Sequence, residues 1–230
     1  MRKNTNIEEI RDFTKLLLNY PIDPIDNISP EIHIIHPIYE SSIQMIDGKL
    51  TNIFGDKEAQ KKNKEIYSKK LDGYNKTSKF LMMITKPYRL FWVNYCKKYM
   101  NLEDFSKSLI SAWIQSEAPN SDVNVKKYQS ICMFQKADKS IIMDEESFEL
   151  YQKLPEIVHI YRGVSEKLKN KDGLSWTLDL EQAKWFANRF DNGTVYEGDI
   201  NKEYIFAYLN NVEQEIICNY KKIENMKIYE

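Results

Sequence analysis

The hydrophobic period of this chain changes at Pro155, and that change limits the folds open to it. Before Pro155, apolar residues recur at helical spacing. Ile7, Ile10, Phe13 and Leu17 do so in "NIEEIRDFTKLLLNY", and Leu102, Phe105, Leu109 and Trp113 do so ahead of Pro119. Residues three and four apart share one helical face. "DKEAQKKNKEIYSKKLDG" reads as a charged helix closed by Gly73. "SKFLMMITKPYRLFWVNYCKKYM" reads as a helical run that Pro87 kinks or splits. "DVNVKKYQSICMFQKA" and "MDEESFELYQKL" add two more, while the four prolines of "YPIDPIDNISPEIHIIHPIY" make that stretch a loop. After Pro155 the period is two. "EIVHIYRGV" alternates as a strand, and "GLSWTL", "TVYEGDI", "EYIFAYL" and "EQEIICNY" read as further strands. One helix interrupts them, "DLEQAKWFANRF", with Asp179 as N-cap, Gln182 three residues on, and Ala183, Phe186, Ala187 and Phe190 as its buried stripe. The expected class is α+β, with a mainly helical region over 1–150 and a β-rich region over 151–230 in one compact unit.

Composition excludes several functions. A net charge of −1 gives no overall attraction to nucleic acid or anionic membrane. Cys96, Cys132 and Cys218 are scattered and lack CxxC spacing, so neither a disulfide framework nor a zinc site is expected and a cytoplasmic setting is. The opening "MRKNTNIEEIRDF" has no apolar signal core, and Lys86 and Arg89 interrupt the most apolar stretch, so no membrane span is expected. His33 and His36 form an H-x-x-H without a third ligand at credible spacing, and no metal is expected. The lysines of 57–70 are interleaved with Glu58 and Glu65 and read as a solvated face, which makes nucleic acid an unlikely direct substrate. His159 alternates to the face opposite Arg162 and reads as structural.

The polar residues that stand out lie in the β-rich region. Arg162 sits within a half-buried strand and needs a partner, either a carboxylate of the chain or an anion from outside. Ser175 and Thr177 share one strand face, with Trp176 turned to the core. Glu213 and Glu215 are likewise expected on one face of a strand, where the two carboxylates repel unless solvated or given a cation. Taken singly these residues read rather as a structural salt bridge at Arg162, a satisfied strand face or helix cap at Ser175 and Thr177, and a solvated edge at Glu213 and Glu215. Taken together, in this order, they are expected to line one cleft.

That ordered set, "YRG" at 161–163, "SWT" at 175–177 and "EQE" at 213–215, resembles the arginine–serine–glutamate class of ADP-ribosyltransferases, including uncharacterised phage-borne members. The helix with "AKWFA" at 183–187 is similar to that family's first motif-bearing helix, while Trp176 departs from the commoner Ser-Thr-Ser form. The resemblance covers the last third of the chain. It implies a split β-sheet core that takes NAD as a substrate and transfers ADP-ribose to a protein acceptor, such as a host or defence factor. The helical region would then cover the cleft or choose the target. It further implies that Glu215 holds the ribose 2′-hydroxyl beside the developing cation, and that Arg162 binds phosphate oxygens. Gly163 lets the backbone approach the nicotinamide amide, Ser175 bonds the ribose or orients Glu215, and Thr177 supports its strand. Glu213 favours arginine as acceptor, with "YLNN" at 208–211 in the recognition loop. NAD hydrolysis by the same residues, and a non-catalytic binder on the same fold, are the alternatives.

Overall fold

The computed structural model describes the chain apart from residues 1, 25–33, 168–169, 191, 211 and 230 and the side chains of 23 and 24. It forms two compact units, Met1–Glu117 and Ala118–Glu230. His33, one half of the H-x-x-H, and Asn211 lie outside the described residues.

The first unit is mainly helical: α1 (Ile7–Leu17), α2 (Lys57–Asp72), α3 (Thr77–Met83), α4 (Arg89–Cys96) and α5 (Leu102–Gln115). Asn6, Asp56 and Asn101 cap α1, α2 and α5 with side-chain oxygens. Pro87 splits its run into α3 and α4, with a 3-10 turn at Lys86–Tyr88 between them. Ile10, Phe13 and Leu17 of α1 and Phe105, Leu109 and Trp113 of α5 are buried as their spacing requires. The indole of Trp92 donates to Thr14 Oγ1 at 2.9 Å inside this core. Two small antiparallel pairs join the helices: β1 (Asp23–Pro24) with β2 (Ile34–Ile35), and the hairpin β3 (Ile43–Ile46) with β4 (Lys49–Asn52).

The second unit carries α6 (Lys127–Lys136), α7 (Lys139–Ile142) and α8 (Glu145–Lys153), then β5 (Ile157–Val164), β6 (Ser175–Thr177), α9 (Leu180–Asn188), β7 (Thr194–Asn201), β8 (Ile205–Leu209), β9 (Glu215–Cys218) and β10 (Ile223–Ile228). The six strands form one antiparallel sheet in the order β10-β7-β5-β6-β9-β8. The unit begins at Ala118, before the expected boundary at 150, so α6–α8 belong with the sheet. All five residues of β8 are buried although it is an edge strand. Phe134 of α6 stacks on Phe206, and Tyr208 N–H donates to Met143 Sδ at 3.3 Å. Ser147 Oγ accepts from Asn210 N–H at 3.0 Å. Covering an edge in this way blocks pairing with another chain.

Two expectations are corrected here. The chain turns at 212–213 and β9 begins only at Glu215, so Glu213 and Glu215 do not share a strand face. Glu213 is exposed, and Gln214 takes a left-handed φ of 44° that breaks the extended run. Phe190 is 56% exposed because α9 ends at Asn188, two residues short of it.

Candidate active site

The site grows from an interruption in the sheet. β5 pairs with β7 along its whole length, from Ile157↔Asn201 to Val164↔Thr194. With β6 it shares a single pair, Tyr161↔Thr177. In that register the next rung would set Gly163 opposite Ser175. That rung is not formed, and the strands part. A strand residue two positions from Thr177 presents its N–H and C=O on the same side as Thr177, so those of Ser175 face the opening and need partners from elsewhere.

Side chains supply them. Arg162 donates from one terminal nitrogen to the Ser175 carbonyl, and from Nε and the other terminal nitrogen to the Asn170 carbonyl at 3.3 and 3.1 Å. The residue is half-buried overall but its guanidinium is enclosed, and burial lowers its pKa to about 10, opposed by the nearby Glu215 and Asp172. It stays protonated at neutral pH. Gly173 makes room for it, since a Cβ there would lie 2.4 Å from a guanidinium nitrogen. The expected phosphate clamp therefore spends these donors on main-chain carbonyls, tying the 170 loop to β6 across the gap.

Ser175 and Glu215 meet on the neighbouring strand pair. Thr177 pairs directly with Glu215, which puts Ser175 on the diagonal. Ser175 Oγ donates to Glu215 Oε1 at 2.5 Å, and Glu215 is only 8% exposed. Thr177 Oγ1 donates to the Glu213 carbonyl at 2.7 Å and accepts from Asp179 N–H at 3.0 Å, pinning both the turn before β9 and the start of α9. Gly163 has a packing reason for lacking a side chain: a Cβ would lie 1.9 Å from the Ala183 carbonyl oxygen and 2.6 Å from the Ala187 nitrogen of α9.

Two asparagines complete the site, and neither was singled out from the sequence. Asn120, in a 3-10 turn over Pro119–Ser121, accepts from Leu174 N–H at 2.6 Å and Ser175 N–H at 3.3 Å, and donates to Ser175 Oγ at 2.9 Å. Asn170 donates to the Asn120 carbonyl at 3.2 Å and to Ser121 Oγ at 2.9 Å, and accepts from Lys127 Nζ at 2.6 Å. Both also line an open pocket of about 670 Å³ with Lys126, Lys127, Tyr220 and Lys221 on its walls. Pro-Asn marks a turn in the sequence, but nothing local says that its side chain reaches a strand.

The two remaining candidates have partners of their own. His159 bonds Asp199 at 2.7 Å and Glu197 at 3.1 Å on the β7 side of β5. His36 is buried, stacks on Tyr39, and accepts from the Ile38 and Tyr39 N–H groups, and burial drops its pKa to about 4. Among the described residues no three His, Cys, Asp or Glu side chains are placed to hold a metal ion, and no helix is long and apolar enough to cross a membrane.

Chemically, the row Arg162–Ser175–Glu215 is a buried carboxylate fixed by a hydroxyl, with a guanidinium close behind. A carboxylate held in advance in a low-dielectric setting stabilises a cation that develops beside it. No family model, curated protein or solved structure matches the chain.

Proposed function

We propose that the second unit is an NAD-cleaving domain that transfers ADP-ribose to a protein side chain, with arginine the favoured acceptor. In this reaction the bond between ribose C1′ and the nicotinamide nitrogen breaks. Nicotinamide leaves neutral with the electron pair, the acceptor nitrogen bonds C1′, and the acceptor gives up a proton. Glu215 stabilises the ribosyl cation, and Ser175 fixes the orientation of its carboxylate. Arg162 braces the 170 loop against β6 and adds positive charge for a diphosphate. Glu213 stands exposed on the turn before β9, where an incoming protein side chain can reach it.

One observation supports this reading above the others. Arg162, Ser175 and Glu215 are 13 and 40 residues apart in sequence, yet they form a hydrogen-bonded row on adjacent strands where the sheet opens. The test incubates the protein with labelled NAD and a cell lysate. Label on a protein band is expected from the native chain. Glu215→Gln is expected to lose it by about 100-fold or more, the scale of one lost electrostatic partner in comparable sites. Free ADP-ribose without labelled protein would replace transfer with hydrolysis. Intact NAD would overturn the enzymatic reading.

A further inference from the structure

We propose that the head of β6 is a binding site for a primary carboxamide, and that Asn120 fills it from within the chain. The contacts match the two ends of one amide group. The Leu174 and Ser175 N–H groups converge on Asn120 Oδ1, at 2.6 and 3.3 Å, and Ser175 Oγ accepts from Nδ2 at 2.9 Å. Ser175 gives its own proton to Glu215, so its oxygen faces the ligand as an acceptor. A carboxylate in place of the amide would meet that acceptor with another acceptor. It would also set a second negative charge beside Glu215. The cradle therefore selects an amide over an acid.

The internal occupant is held in a way that permits exchange. None of Pro119–Ser121 is buried, so no apolar anchor seats the turn. Beyond Asn120's own bonds, it is fastened by Asn170 Nδ2 to the Asn120 carbonyl and Ser121 Oγ. These are polar contacts that water can replace. The loop continues through Val123, which is 92% exposed. An incoming carboxamide would trade bonds with Asn120 one for one, and the turn would swing out. The chain is thus self-inhibited at this site, and its apparent affinity for the ligand is reduced by the fraction of molecules with the turn out. The choice of ligand rests on the reading above, because the group that leaves NAD is a primary carboxamide on an aromatic ring.

The experiment measures equilibrium binding of nicotinamide to the whole chain by NMR, following the Leu174 and Ser175 amide signals. Asn120→Ala removes the occupant, and Asn120→Asp keeps its size but lacks the donor. Both are expected to bind nicotinamide at least 10-fold more tightly than the native chain, while nicotinic acid binds none of the three. The remaining sheet amides report that each variant is folded. Unchanged or weaker nicotinamide binding in both folded variants overturns the proposal, as does equal binding of nicotinic acid to Asn120→Ala. The two readings fail separately. Tighter nicotinamide binding without NAD cleavage retires the transferase and leaves the carboxamide site. NAD cleavage with unaltered nicotinamide affinity retires the site alone.

Discussion

Gly163→Ala tests whether the glycine of "YRG" serves the fold or the ligand. The added Cβ would lie 1.9 Å from the Ala183 carbonyl oxygen and 2.6 Å from the Ala187 nitrogen. Both are main-chain atoms of α9, so no side-chain rotation relieves the clash. Ala183 and Ala187 are essentially fully buried against the sheet, at 0% and 1% exposure. The helix must therefore lift off β5 by more than an ångström. Overpacking ordinarily costs about 1–3 kcal/mol, and two rigid backbone contacts put this case at about 3 kcal/mol or above. In a chain of this size about 1 kcal/mol moves the melting temperature by roughly 2–4 °C, so a fall of roughly 6–12 °C is expected. Circular dichroism melts measure it. Gly73→Ala is the control, because its φ is −78° and the nearest atom to a new Cβ lies 3.6 Å away. That variant should match the native chain or gain about 0.4–1 kcal/mol. A Gly163→Ala protein that melts within about 2 °C of the native chain would refute the seating of α9 on β5. It would return Gly163 to the role of admitting a ligand.

The remaining predictions concern the groups around this framework. Asp199, then Glu197, hold the His159 pKa above its usual 6.5; Lys227, with a smaller part from His159, lowers Glu197, and Asn225, then His159, lowers Asp199. A raised histidine stabilises fully below pH 6.5 and loses that contribution as pH rises through its folded pKa. The carboxylates lose theirs as pH falls through the acid range. The stability difference between the native chain and His159→Gln should therefore be greater at pH 5.5 than at pH 8.5, and modest because His159 is exposed; urea titrations at the two values check it. Thr177→Val removes the donor to the Glu213 carbonyl and the acceptor for Asp179 N–H, and should cost about 2 kcal/mol in urea unfolding. Glu213→Gln should lose transfer to arginine while leaving NAD hydrolysis and stability near native, as expected for an exposed turn residue. Unimpaired arginine transfer would remove Glu213 from the acceptor role.

What the sequence foretold follows the range of the interaction responsible. Capped helices were legible because the signals are local: Asp179 accepts from Glu181 and Gln182 N–H at the start of α9, as an N-cap must. Alternation in "EIVHIYRGV" placed β5 because a buried face repeats every second residue. The β3–β4 hairpin carries a local mark, Asp47-Gly48 with φ of 50° and 75°, which suits a two-residue turn. Its flanks, exposed at Met45 and Leu50, lack the buried apolar face that marks a strand in the sequence. Glu213 was misplaced because "VEQEIIC" alternates in composition whether or not the backbone is extended, and a left-handed Gln214 leaves no trace in composition. Asn120 was beyond reach altogether. Its bonds run to residues 54 and 55 positions away, and a Pro-Asn turn looks the same whether its side chain meets water or a strand.

The interruption between β5 and β6 also explains why these side chains gather at one place in the sheet. An unbroken ladder would satisfy Ser175 with main chain from Gly163 and leave no room for a ligand. Because the rung is missing, each freed group needs a side-chain partner, and the partners are those that bind ligands well: a guanidinium on the carbonyl and a carboxamide on the N–H. The serine hydroxyl, freed on the same residue, links that gap to Glu215 on the far strand. A ligand entering here must replace bonds that already exist, so its affinity depends on matching their donors and acceptors and only secondarily on buried area. Such a site discriminates by hydrogen-bond pattern. It also couples the ligand to the fold, since whatever displaces Asn120 loosens the turn that Asn170 ties down, and Asn170 is the same residue whose carbonyl anchors Arg162.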